Sequence, residues 1–158
     1  MTLFLLIGLL TGQRKEAILF LRCSNVDFYS NIIYWNPVGR RRTKKECPSS
    51  RLPARLKKHL IPRRRRFPED EFIVTNSGKS LQNIKLAFRT SVVAAGLETG
   101  GDLKVVPHTL RHTCATWLMQ QGAPKWDACG FLGMTLETPK KNYGHHNPDH
   151  QRGAADAI

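Results

Sequence analysis

The chain opens on an unbroken apolar run, Leu3-Phe4-Leu5-Leu6-Ile7-Gly8-Leu9-Leu10, which gives way at once to Thr11-Gly12-Gln13-Arg14. A run that short cannot cross a bilayer, which takes about 20 residues. It also lacks the basic residues that open a secretion signal, so a buried helix is expected. Strong helix formers over residues 15–22, with apolar Ile18, Leu19 and Leu21, predict a second helix ending near Ser24-Asn25. Ile32-Ile33-Tyr34-Trp35 is β-branched and aromatic and runs into Asn36-Pro37 and Gly39, the signature of a strand entering a turn. A return strand should follow near residues 49–53, although Ser49-Ser50-Arg51 is poor strand material.

Downstream the period changes from two to between three and four. Residues 54–61 form an amphipathic stretch that Pro62 is expected to terminate. Phe72-Ile73-Val74 is a brief apolar segment ahead of a Ser77-Gly78 loop. Leu81, Ile84, Phe88, Val92 and Ala95 recur at spacings of three and four, which predicts a core-facing helix over residues 81–95 closed by Gly96. Another helix is expected over residues 108–121 with Gly122 as its stop, then a short one around residues 123–129 and one carrying Tyr143. A last helix would take Asn147 as N-cap and Pro148 at its first position. The expected fold class is α+β, mainly helical with one small antiparallel sheet, in a single domain that 158 residues suffice to fill.

Charge narrows the choice of partner. The 25 Lys and Arg against 12 Asp and Glu leave a formal +13, and residues 40–66 hold 13 of the basic residues with Glu46 as their single acid. A basic run is ordinarily a solvated face, but one this dense favours a polyanion, with nucleic acid ahead of an anionic membrane surface. Arg40, Arg41, Arg42, Lys45, Arg64 and Arg65 are the candidate phosphate contacts. Cys23, Cys47, Cys114 and Cys129 are far apart and form no Cys-x-x-Cys pair, which argues against a zinc ribbon or a disulfide framework and fits reduced thiols in a cytoplasm.

The most specific chemistry lies in His108-Thr109-Leu110-Arg111-His112-Thr113. On a helix, positions 108 and 111 share a face. An imidazole able to move a proton at neutral pH would then stand beside a guanidinium that can fork onto two phosphate oxygens. Phosphoryl transfer needs that pair. Taken singly, His108 reads as a locally bonded helix-start histidine and Arg111 as a surface ion pair.

Together these residues resemble the His-x-Leu-Arg-His-Thr helix of the tyrosine recombinases of the phage-integrase type, and the resemblance runs in order along nearly the whole chain. Thr11-Gly12-Gln13-Arg14 is similar to the family's Thr-Gly-x-Arg, which implies Arg14 as the first catalytic arginine. The segment from Ile18 to Val26-Asp27 resembles the helix and turn that lead to the family's β-hairpin. Thr43-Lys44-Lys45 falls in that hairpin, where the family carries a lysine that protonates the leaving 5′ oxygen; Lys44 is preferred and Lys45 is the alternative. Leu132-Gly133-Met134 stands nine residues before Tyr143, which takes the position of the nucleophile. Met134 departs from the family's usual histidine and cannot donate a hydrogen bond, so it should pack, with His145 of Tyr143-Gly-His-His as a candidate replacement donor.

What the resemblance implies is site-specific strand cleavage and rejoining through a 3′-phosphotyrosyl link. Arg14 and Arg111 would hold the phosphate, His108 would act as general base and Lys44 as acid. Neither metal nor nucleotide cofactor is implied. The implied partners are double-stranded attachment sites, with four protomers in a synapse, in the cytoplasm of a bacterium carrying a prophage or mobile element, and no membrane. The family's catalytic domain follows a core-binding helical domain, and this chain begins almost at the first arginine motif, so the expected content of residues 1–158 is the catalytic domain alone. Two other readings share part of the pattern: a DNA-binding relative without competent geometry, and a basic RNA-binding protein for which Arg14, His108, Arg111 and Tyr143 would be coincidence.

Overall fold

A computed structural model describes residues 1–36, 49–137, 143, 146–148 and 155–156. Among them the helices are α1 (Thr2–Thr11), α2 (Lys15–Leu19), α3 (Ala54–Arg66), α4 (Lys85–Ala94), α5 (Pro107–Gln120) and α6 (Lys125–Leu132). The strands are short: β1 (Val26–Asp27), β2 (Ile32–Ile33), β3 (Ser50–Arg51), β4 (Thr75–Asn76) and β5 (Lys79–Ser80). The fold is therefore mainly helical with small antiparallel sheets, the class expected. No helix among the described residues is long and apolar enough to cross a membrane.

The opening apolar run is α1, and it packs against α5, α2 and α3. Phe4, Ile7, Gly8 and Thr11 are its buried face. Contact with α5 is so close at Gly8 that a Cβ there would lie 2.7 Å from Leu110 Cδ1. Thr11, buried at the helix end, donates its hydroxyl proton to the Ile7 carbonyl at 2.6 Å, so its own hydroxyl is satisfied. Two apolar clusters result. The larger gathers α1, α2, the first sheet, α3 and α4 around Phe4, Ile7, Ile33, Trp35, Leu56 and Phe88. The smaller comprises Cys114, Ala115, Met119, Ala128, Leu132 and Tyr143, with Met134 packed against it. Helix α5 belongs to both, through Leu110 in the first and Cys114 onward in the second.

The first sheet has the order β1-β2-β3, with Val26 opposite Ile33 and Ile33 opposite Ser50. Asp27 builds the β1–β2 turn: its carboxylate accepts the Tyr29 and Ser30 N–H groups at 2.8 and 3.0 Å and the Ser30 hydroxyl at 2.5 Å. The Ser30 hydroxyl and the two turn amides hold that carboxyl below its usual range. Ser50, unpromising as strand material, has a structural task. It is buried, and its oxygen accepts the indole N–H of fully buried Trp35 at 2.8 Å. Ser50→Ala strands that N–H in the core, so a loss of about 1–3 kcal/mol is expected in denaturant titration; an unchanged midpoint would show that the bond contributes nothing.

Three expectations need correction. Pro62 does not end the third helix; α3 continues to Arg66. Proline removes one N–H and crowds the carbonyl four residues back, a cost of about 3 kcal/mol. Anchors beyond it offset that cost. Arg63 pairs with Asp70, donates to Thr75 Oγ1 at 3.0 Å and stacks over Phe67 at 4.6 Å, while four arginines face the negative end of the helix dipole. Helix α4 starts at Lys85 rather than near Leu81, because the Asn83 side-chain oxygen accepts the Lys85 N–H at 2.8 Å and marks the start there. The Ser77-Gly78 loop turns out to be a two-residue hairpin turn between β4 and β5, a second small sheet; both residues have positive φ, 50° and 77°, as such turns require. Lys44, with the hairpin turn expected around it, and most of the segment around Tyr143 and Asn147 lie outside the described residues.

Candidate active site

The site grows from the ends of two helices. Gly12 is the C-cap of α1, left-handed at φ 62°, and its N–H closes on the Gly8 carbonyl. Gly133 is the left-handed C-cap of α6. The last carbonyls of a helix have no partner within it and sit at the negative end of its dipole. Arg111 supplies what both lack. Its Nη1 donates to the Gly12 carbonyl at 2.8 Å and its Nη2 to the Gly133 carbonyl at 3.4 Å, with the residue only 5% exposed. A buried cation is thereby compensated by two helix termini. Thr-Gly-x-Arg, His-x-x-Arg and Leu-Gly, separated widely in the chain, meet on this one guanidinium.

Helix α5 opens with Pro107 at its first position, and the Thr109 hydroxyl accepts the Val106 N–H at 3.1 Å to fix the start. His108 and His112 then stand one turn apart on an exposed face, their rings edge to face with centroids 4.6 Å apart. The Tyr143 ring is buried in the smaller cluster, 6% exposed, and its hydroxyl is hydrogen-bonded to His112 Nδ1. The phenol body is thus fixed by packing while its oxygen reaches the side where the two histidines meet solvent. Burial pushes the phenol pKa up, and the Arg111 charge pulls against that shift.

Arg14 is the N-cap of α2, partly buried, two residues beyond the carbonyl that Arg111 holds. Between them Gln13 is buried and its Nε2 donates to the Phe131 carbonyl at 3.5 Å, tying the first arginine segment to α6. Met134 packs against the smaller cluster. Arg64 and Arg65 are exposed in the last turn of α3. Arg40, Arg41, Arg42, Lys44, Lys45 and His145 lie outside the described residues. Cys114, beside the phenol in the same cluster, has its thiol pushed up to about 11 by burial, so it stays protonated and unreactive at neutral pH. Nothing in the motif alone singled out His112; its spacing of four from His108 was the available signal, but its partner lies 31 residues further along.

Comparison with known proteins places the fold and the family. Residues 1–150 match the model of the Phage integrase family. Tyrosine recombinase XerC of Yersinia pestis is 25% identical over 151 residues, covering 93% of this chain and 48% of the relative. The chain thus spans about half the length of the curated relative it matches. Among solved structures, the catalytic domain of bacteriophage HP1 integrase superimposes with a TM-score of 0.63 at 22% identity, covering 98% of this chain and 79% of that one. Tn1549 transposon integrase in complex with circular intermediate DNA gives 0.70 at 15% identity, covering 97% and 58%. At such identities the structures show a shared fold, and the match along residues 1–150 adds the lineage: the chain belongs to the phage integrase family.

Proposed function

We propose that residues 1–158 are the catalytic domain of a tyrosine recombinase that cuts and rejoins duplex DNA at attachment sites. The observation that carries this reading is the joint placement of Tyr143 and Arg111. The phenol oxygen is presented at the exposed histidine pair, and the guanidinium beside it is locked by two helix ends. Arg14 and Arg111 neutralise the non-bridging oxygens as charge builds on the phosphate, which is ordinarily the largest catalytic contribution. Tyr143 attacks phosphorus and the 5′ oxygen leaves. Lys44 protonates that oxygen, with Lys45 as the alternative, and the histidine pair, with His108 in the family's position, takes the phenol proton. His145 donates to the phosphate where Met134 cannot. The phosphotyrosyl bond conserves the phosphodiester energy, so a second DNA end can reverse the step.

Arg40, Arg41, Arg42, Lys45, Arg64 and Arg65 grip the flanking backbone as a charge surface. Four protomers assemble on two attachment sites in the bacterial cytoplasm, on nucleoid or mobile-element DNA. The structural neighbour solved with circular intermediate DNA supports DNA over RNA as the partner.

The test uses a randomised pool of duplexes nicked so that the fragment released by cleavage diffuses away. A denaturant-resistant protein–DNA adduct is expected with the wild-type chain and none with Tyr143→Phe. An adduct that survives in the phenylalanine variant would move the nucleophile elsewhere, and DNA binding without any adduct would make the chain an inert DNA-binding relative.

A further inference from the structure

We infer that His112 is the residue that accepts the Tyr143 proton when the phenol attacks, an assignment that rests on the recombinase reading and narrows the base within the histidine pair. The family resemblance directs attention to His108, yet the geometry separates the two rings. His112 Nδ1 is bonded directly to the phenol oxygen, and the His108 ring stands edge-on to the His112 ring. For His112 to accept at Nδ1, the imidazole must carry its own proton on Nε2, a tautomer that the proposal therefore requires. A phenol with an ordinary pKa of about 10, raised further by burial, does not ionise unaided at neutral pH. It needs an acceptor already in contact.

The step balances without another reagent. As the Tyr143 Oη–P bond forms and the P–O bond to the 5′ oxygen breaks, the phenol O–H bond breaks and its proton passes to His112 Nδ1, leaving an imidazolium. On rejoining, the same proton returns to the phenol. The new cation would face His108 on α5 and the phenol of the segment packed against α5, with Arg111 one residue before it and the protonated Cys114 thiol in the cluster around the phenol ring. His108 then serves as the positioning residue, its ring holding the plane of His112.

Two measurements on the full chain test this. In 15N-histidine spectra the His112 ring is expected as the Nε2–H tautomer, with an Nδ1 resonance that shifts in Tyr143→Phe. A protonated Nδ1 at neutral pH, or no shift in the variant, would overturn the inference. In the adduct assay on the nicked duplex pool, His112→Asn keeps an oxygen or nitrogen near the Nδ1 position but has no comparable proton affinity. Its rate of adduct formation should fall by about 100-fold, and the histidine limb of the pH profile should vanish. A rate within about 3-fold of wild type with the limb intact would overturn the proton-acceptor role while leaving the recombinase reading in place. Absence of a wild-type adduct would overturn both. Equal unfolding midpoints for His112→Asn and wild type keep the rate comparison free of folding effects.

Discussion

Gly12→Ala is expected to bring the chain close to unfolding, whereas Gly96→Ala should cost little. Both glycines are left-handed, at φ 62° and 67°, so an alanine at either carries the same backbone penalty, on the order of 1 kcal/mol or slightly more. The surroundings differ. At Gly12 a Cβ would lie 2.3 Å from Leu132 Cδ2 and 3.3 Å from the Cβ and Sγ of Cys114, while at Gly96 nothing comes within 4 Å. Overpacking a closed core adds about 1–3 kcal/mol, and displacing the Gly12 carbonyl weakens its bond from Arg111. The sum, roughly 3–5 kcal/mol, is a large part of the total stability of an ordinary domain and corresponds to a fall in midpoint on the order of 10 °C or more. Thermal unfolding of the two variants side by side decides it. Equal, small shifts would mean that α1, α5 and α6 are packed more loosely than the distances indicate.

Arg111→Lys should damage both stability and cleavage. An ammonium preserves the charge but not the planar fork that spans the Gly12 and Gly133 carbonyls, so at least one helix end loses its partner in a buried setting. Hydrogen bonds from a charged donor contribute about 1.5–3 kcal/mol each, which places the midpoint roughly 5–10 °C lower. Adduct formation, measured well below both midpoints, should fall by about 100- to 1000-fold, the usual cost of one misplaced donor at a phosphate. DNA affinity should change much less, since the charge remains. A variant with a wild-type midpoint would remove Arg111 from the seam between the helices, and equal losses in binding and cleavage would make its contribution purely structural.

The helices with long apolar periods were legible because burial imposes the period directly: α1 follows the opening run, and Ile84, Phe88 and Val92 face the core as their spacing required. What was not legible depends on partners distant in sequence. Pro62 is tolerated because Arg63 is anchored by Asp70 and Thr75 across a turn, and Ser50 fits a strand because Trp35 needs an acceptor. The same holds at the site. Motif order nominates Arg14, His108, Arg111 and Tyr143, but no local rule reveals that Arg111 spends two donors on helix carbonyls, or that His112 meets the phenol. Those contacts exist only once α1, α5 and α6 have converged.

Because α5 threads both apolar clusters, its two halves should differ in how readily they exchange amide protons. The first half shares the large cluster with α1 and would exchange mainly through global unfolding; the second half, with α6 and the Tyr143 ring, belongs to the cluster that is smaller among the described residues and is expected to open more readily. The proposed nucleophile, Tyr143, therefore belongs to the less stable cooperative unit, while the guanidinium proposed to hold the phosphate, that of Arg111, sits at the boundary with the more stable one. Release and recapture of the phenol can then proceed as a sub-global event, with the rest of the fold remaining closed around the arginine.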